Sequence, residues 1–90
     1  MANQVGMESA QVRQLASQMD RRADEIDAML RSTTARLSGL PWVGNDRNRF
    51  IDSWNSIHAT KLRAVARGLR EAAEKARFNA NEQDRVSRSS

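Results

Sequence analysis

The acidic residues of the first half are the side chains whose types and spacing first suggest chemistry. Four carboxylates fall between positions 20 and 27: Asp20, Asp24, Glu25 and Asp27. Such a cluster could act in acid–base catalysis. However, Arg21 and Arg22 interleave with these acids, and this mixture is typical of a solvated helix face with ion pairs between successive turns.

The remaining candidates for catalysis or metal binding are few. The chain has no cysteine and a single histidine, His58, so disulfides and thiolate metal sites are excluded. His58 falls on an apolar helical stripe, which favours packing over a ligand or catalytic role. No glycine-rich phosphate loop and no nucleophile–histidine pair is apparent. We therefore expect a non-enzymatic protein with no catalytic residues, no metal site and no cofactor.

Basic residues give the strongest competing hypothesis, which is nucleic-acid binding. The net charge is +4, and the whole excess lies in residues 46–90. Four arginines share one helical face there: Arg63, Arg67, Arg70 and Arg77. Such a face can neutralise phosphates. Two glutamates dilute it, and no aromatic accompanies it to stack bases, so we expect a solvated outer face and no nucleic-acid partner.

The elements that carry these residues are two long helices. Apolar positions recur in steps of three and four residues in both halves, which is a helical pattern of near-heptad spacing. Ser9 is a candidate N-cap for helix one, over residues 9–38; Asn45 or Asp46 is a candidate cap for helix two, over residues 46–83. With a turn at 39–45 and a flexible tail at 84–90, the chain is predicted to be all-α: a single-domain antiparallel two-helix hairpin, residues 1–90.

The apolar arc of helix two is wider than helix one can cover. Phe50 and Ile57 lie to one side of its main stripe, and a small core without disulfides usually needs a partner chain. We therefore expect the hairpin to assemble as a four-helix bundle dimer. The predicted dimer and core interface comprises Leu15, Met19, Ile26, Leu30, Phe50, Trp54, Ile57, Leu62, Val65 and Leu69.

The turn contains a tryptophan between helix-breaking residues. Pro41 precedes Trp42, and Gly44 follows it. The ring could plug the open end of the helical core, with Gly44 allowing a positive φ or a close approach of the backbone. The alternative is an exposed tryptophan that anchors a partner.

The Trp42-Val43-Gly44 turn between two long helices, with Phe50 and Trp54 close behind, resembles the WXG or ESAT-6-like family. The resemblance implies a non-enzymatic hairpin that forms homodimers or heterodimers with another small WXG-type protein. It also implies a secreted substrate or partner subunit of a type VII (ESX) secretion system, which works through helical dimerisation and contacts the secretion machinery. The alternatives are a basic helical nucleic-acid-binding protein and a cytosolic helical adaptor.

The resemblance further implies an export signal after helix two. Many family members carry Tyr-x-x-x-Asp/Glu there, whereas this chain has no tyrosine and places Phe78 and Glu82 at that spacing. Either Phe78 and Glu82 form the secretion signal, or Phe78 packs on the bundle end and Glu82 faces solvent. In the second case the chain would travel with a partner that carries the signal. The residues up to Glu8 do not resemble a classical signal peptide, and no apolar run is long enough to span a membrane. We expect synthesis in the cytoplasm followed by secretion.

Overall fold

The computed structural model describes residues 2–41 and 43–89, with the side chains of residue 6 and of residues 8 onward in those ranges. It consists of α1 (Ala2–Gly39), α2 (Asn45–Ser53), a π-helical turn (Trp54–His58) and α3 (Ala59–Ser89). The last three elements follow without a break and form one arm, which returns along α1. The described residues contain no strand, so the predicted all-α hairpin is confirmed.

The helix bounds differ from those expected. The first helix begins at Ala2 and ends at Gly39, so Ser9 lies in its interior, fully buried, and is not an N-cap. The N-cap of α2 is Gly44, which has φ 123° and makes no side-chain capping bond, so Asn45 and Asp46 do not cap it. A positive φ is readily adopted only by glycine. Trp42 lies outside the described residues.

The α3 helix continues to Ser89, across the segment where a flexible tail was expected. This segment contains neither proline nor glycine, the residues that usually end a helix. It is also tied to the first helix, because Arg13 forms an ion pair with Asp84 at 2.6 Å. The two arms therefore pair over nearly their whole length, and the hairpin measures 68 × 17 × 11 Å.

A row of small residues forms the seam between α1 and α3. The fully buried positions recur every seven residues in both helices: Ser9, Ala16, Ala23 and Leu30 in one, and Ala59, Ala66, Ala73 and Ala80 in the other. A seven-residue repeat keeps one face of a helix against its partner. Seven of these eight side chains are alanine or serine, which lets the helix axes approach closely.

The larger apolar residues flank this seam rather than forming its centre. Of the residues expected at the interface, only Leu30 is buried, with 4% of its surface exposed. Five are half-buried: Met19, Ile26, Trp54, Leu62 and Leu69. Four are exposed: Leu15, Phe50, Ile57 and Val65. Alanines at the seam bring the backbones together, and the longer side chains are thereby displaced to its sides.

The π-helical turn changes the phase of the second arm. Ile51 and Trp54 are half-buried, and the next buried residue is Ala59, while His58 is exposed. The expected place of His58 on the buried stripe is therefore wrong. A π-turn adds one residue to the helical repeat, and this rotates Ala59 into the seam. It also positions the Trp54 indole, whose Nε1 donates a hydrogen bond to Thr34 Oγ1 at 2.9 Å.

Candidate functional site

Arginine–aspartate pairs close one long side of the hairpin. The paired residues recur every seven positions in both helices, four residues after each seam position. The pairs are Arg13–Asp84, Asp20–Arg77 and Asp27–Arg70, each with a shortest N–O distance of 2.6 Å. Arg70 also binds Asp24 at 2.8 Å. We call this side the ion-pair edge.

The order of charges on the ion-pair edge selects the register of the two helices. Along α1 the order is arginine, aspartate, aspartate, and the opposing residues of α3 have the complementary charges. A slip of one heptad in one direction would bring Arg13 opposite Arg77. A slip in the other direction would bring Asp20 opposite Asp84. Since charges beside a helical seam set partner register, the edge disfavours both slips.

Two groups of the ion-pair edge have shifted pKa values. The pKa of the Asp84 carboxyl is lowered, first by the Ser9 hydroxyl and then by the Arg13 guanidinium. Ser9 Oγ is buried and makes no hydrogen bond of standard geometry. The pKa of the Arg70 guanidinium is raised by its hydrogen bonds to Asp24 and Asp27. In both cases the neighbouring groups stabilise the charged form of the side chain.

The opposite long side of the hairpin is apolar. Residues three positions after the seam and one position before it lie on this side, away from the ion-pair edge. Exposed fractions there reach 49% for Leu15, 43% for Met29 and 52% for Val65. We call this surface the apolar face; it comprises Val12, Leu15, Met19, Ile26, Met29, Leu62, Val65, Leu69, Ala72 and Ala76.

One arginine, Arg22, lies among the residues of the apolar face and forms an ion pair with Glu25. Arg22 lies between Met19 and Ile26 along the chain, and its Nη1 donates to both carboxylate oxygens of Glu25, at 2.9 and 3.0 Å. The apolar face therefore runs along both helices with little charge to oppose contact with another apolar surface. A long exposed apolar patch with a polar rim is typical of a protein–protein interface.

A second group of exposed apolar residues lies at the turn end. Leu40 is 47% exposed and Val43 is 87% exposed, and they flank the position of Trp42 in the chain. Phe50 and Ile57, on the second arm, are 50% and 45% exposed. Because Trp42 lies outside the described residues, its two interpretations, a core plug and a recognition anchor, both remain predictions.

The two residues of the expected export signal lie one turn apart on α3. Phe78 is 63% exposed, on the side of α3 away from the seam, so it does not pack against α1 within one hairpin. Glu82 is half-buried and binds Arg85 at 2.7 Å. Residues four apart share a helix face, so the exposed ring and the carboxylate are neighbours on one surface.

The charged residues are arranged differently from the expected solvated faces. Arg70 and Arg77 turn towards α1 and bind aspartates there, so only Arg63 and Arg67 of the basic stripe remain exposed and without such partners. Likewise, the aspartates of α1 pair across the hairpin; in that cluster only Glu25 pairs within its own helix, with Arg22. Opposite charges at heptad spacing in the two halves were the sequence signal for this arrangement.

No described helix has a stretch apolar enough to cross a bilayer. Within residues 2–41 and 43–89, no three His, Cys, Asp or Glu side chains lie close enough to share a metal ion. Comparison with protein-family models, curated proteins and solved structures gives no significant match.

Proposed function

We propose that this hairpin is a protein-interaction module that pairs through its apolar face with a second helical hairpin. The partner is another copy or a related small protein, and the product is a four-helix bundle. The observation that carries this proposal is the contrast between the two long sides: ion pairs within the chain cover one side, and apolar side chains stay open along the other.

The shape of the molecule supports a partner. Its accessible surface is 6815 Å², whereas a compact monomer of this length exposes about 5,300 Å². Its radius of gyration is 20.0 Å, whereas a compact domain of this length has about 12 Å. A stable interface removes about 800 Å² from each partner, which is less than the excess surface of this hairpin.

The form of the apolar face favours a helical hairpin as the partner. The face is long and narrow, and it follows two antiparallel helices with a seven-residue repeat. Two further helices with the same repeat can place their side chains between these, as in four-helix bundles. A single bound helix would fill the central groove and leave exposed Leu15, Met29 and Val65 at the margins partly uncovered.

The resemblance to the WXG family gives this pairing a biological setting. We propose that the bundle is a non-enzymatic secreted substrate or partner subunit of a type VII secretion system, exported in its folded form. The glycine with positive φ after the turn supports this, as does the exposed Phe78 beside Glu82. The secretion machinery would read those two residues on this chain or a corresponding signal on its partner.

A substitution on the apolar face tests the pairing. Val65→Glu places a charge where the partner must pack, while Ala64→Glu places the same charge one residue away, on the exposed outer side of α3. Sedimentation over a dilution series, alone and with any partner, should show association weakened by about a hundredfold for Val65→Glu and little changed for Ala64→Glu. A wild-type chain that folds cooperatively as a monomer in every condition would refute the pairing.

A second experiment tests export separately from pairing. Phe78 and Glu82 are replaced together by alanine, with Glu71→Ala plus Lys75→Ala as a matched pair on the exposed surface of the same helix. We expect lost secretion with an intact dimer for the first pair and normal secretion for the second. Normal secretion of both would assign the signal to the partner. Failure of the wild type to be secreted in any pairing would favour a cytosolic adaptor.

A further inference from the structure

The ion-pair edge has a fourth position at which the arginine has no carboxylate. In α3, Arg63 continues the heptad series of Arg70 and Arg77 towards the turn. The register of the three ion pairs places Thr34 of α1 opposite Arg63, where the two preceding positions of α1 carry aspartates. Arg63 has no ion pair with a described residue, and the same holds for exposed Arg31 on the neighbouring turn of α1.

A groove of about 420 Å³ lies at this fourth position. Arg31 and Arg63 both line it, and Leu30 and Ala35 give it an apolar surface. Thr34 also lines the groove; its Oγ1 accepts the hydrogen bond from Trp54, which leaves its own O–H available as a donor. The groove therefore offers cationic and hydroxyl donors beside an apolar wall, with room for more than one side chain.

The charge around the groove fits one carboxylate better than a polyanion. Asp27 also lines the groove, but Arg70 already binds it together with Asp24. These three residues sum to one negative charge, and the two free arginines add two positive charges. A phosphate backbone would approach the aspartates along the edge and be repelled by them, whereas a single carboxylate needs only the two arginines.

We propose that this groove binds an acidic side chain of a partner protein. The same heptad position of α3 already binds aspartate carboxylates twice, at 2.6 Å for Arg70 and 2.6 Å for Arg77. Guanidinium groups bind carboxylates through paired, charge-assisted hydrogen bonds. The partner's carboxylate takes the place that an aspartate of α1 would have at the fourth position, and its apolar neighbours contact Leu30 and Ala35.

This site is separate from the proposed pairing surface. The groove lies on the ion-pair edge, whereas the apolar face lies on the other side of the seam. One hairpin could therefore hold a bundle partner on one side and an acidic segment on the other. Either contact can fail without the other, so the two proposals have independent tests.

The binding experiment is a nuclear magnetic resonance titration of the isotope-labelled full chain. The probe is an alanine-rich helical peptide with a single aspartate, and its matched control carries asparagine at that position. We expect saturable shifts of the Arg31 and Arg63 side-chain N–H signals with the aspartate peptide only. Acetate, a free carboxylate without apolar neighbours, should bind at least about fivefold more weakly than the aspartate peptide.

Three variants complete the design. Arg63→Gln should weaken peptide binding by about tenfold or more, whereas Arg36→Gln, an exposed arginine elsewhere on α1, should leave it unchanged. Thr34→Asp supplies an internal carboxylate at the fourth position and should block the peptide while the chain stays folded. Val65→Glu should bind the peptide like the wild type, whatever its effect on pairing. Circular dichroism checks that each variant is helical.

Several results would overturn the proposal. Equal binding of the aspartate and asparagine peptides would show that the groove does not recognise a carboxylate. Equal binding of acetate and the aspartate peptide would show that the groove binds a free carboxylate and not a side chain of a partner protein. Undiminished binding to Arg63→Gln or to Thr34→Asp would place the contact elsewhere. Shifts of the same arginines with a short DNA duplex, and none with the aspartate peptide, would assign the groove to nucleic acid instead.

Discussion

The two long sides of the hairpin flank the same seam, but only one of them has its side chains paired within the chain. The ion-pair edge finds its partners within the chain, since each aspartate or arginine of its three pairs meets the opposite charge on the other helix. The apolar face leaves Leu15, Met29 and Val65 close to half exposed. One side of the seam therefore fixes the register of the two helices, and the other side leaves an apolar surface exposed.

The two sides also differ in the kind of energy that they contribute. An exposed ion pair contributes about 0.2–1 kcal/mol, and the pairs of this edge are part-exposed, so their larger effect is to disfavour wrong registers. Covering an apolar side chain contributes about 25 cal/mol for each Å² removed from water. A partner on the apolar face would therefore add more to the stability of the assembly than the ion-pair edge adds to the hairpin.

The largest predicted effect comes from separating the helices, which weakens both sides together. Ala73 is fully buried in the seam, and Ala73→Leu should destabilise the hairpin by about 1–3 kcal/mol, because overpacking a tight contact forces the backbones apart. The matched change Ala64→Leu, on the exposed outer side of α3, should have little effect. Urea unfolding followed by circular dichroism measures both. Equal midpoints would show that the seam tolerates larger residues.

The next effect concerns the turn end of the ion-pair edge, where the Trp54 indole donates a hydrogen bond to Thr34. Trp54→Phe removes the hydrogen bond to Thr34 and should cost about 0.5–1.5 kcal/mol. Thr34→Val removes the acceptor and keeps the shape. If the bond is the cause, the double variant should cost less than the two single variants together, as measured by thermal melting. Strictly additive costs would show that the two residues act independently.

Reversing one pair tests the ion-pair edge alone. Asp20→Arg places two arginines in contact and should destabilise the hairpin by about 1 kcal/mol at low salt, less at high salt. Adding Arg77→Asp restores opposite charges and should recover most of the loss. The free energy of unfolding should be measured for both variants at two salt concentrations. A double variant as unstable as the single one would mean that charge complementarity does not hold this edge.

The sequence predicts the hairpin well because its strongest signal is periodic. Steps of three and four residues without interior proline specify two helices, and the glycines and proline around position 42 specify the turn. The positions that form the seam are harder to predict, because large apolar side chains are usually assigned to the core before small ones. Leu62 and Leu69 look like the centre of α3, yet Ala59, Ala66 and Ala73 are buried there. Recurrence of alanine at exact heptads was the available signal.

The candidate site follows the same pattern. The expected interface residues are distributed over the seam, the apolar face and the turn end, because small residues occupy the seam in both helices and the π-turn at Trp54–His58 changes the phase of the second arm. No simple spacing rule predicts such a turn. The sequence alone does not predict the ion-pair edge, because intrahelical pairing of neighbouring charges is the usual arrangement. Only the three-dimensional register brings Asp27 to Arg70.

The smallest effect is a dependence of stability on pH at the open end of the ion-pair edge. The pKa of Asp84 is lowered from its ordinary 3.8 by the Ser9 hydroxyl and the Arg13 guanidinium. A carboxyl with a depressed folded-state pKa stabilises the fold above its unfolded pKa, and this contribution disappears as the pH falls through the folded value. The carboxylate of Asp84 should therefore favour the hairpin at neutral pH and lose that effect in acid.

The measurement compares the wild type with Asp84→Asn, which cannot ionise, because other carboxyls titrate over the same range. The wild type should have the higher urea midpoint at pH about 6, and the difference should shrink as the pH falls from about 4 to about 2. Asp52→Asn, at an exposed residue without an ion pair in the described chain, should give a difference that changes less. If the difference in urea midpoint between the wild type and Asp84→Asn stays constant or grows as the pH falls, the Asp84 carboxylate does not stabilise the hairpin. In that case the ion pair between Asp84 and Arg13 does not stabilise the fold, and only the pairs Asp20–Arg77 and Asp27–Arg70 of the ion-pair edge do so.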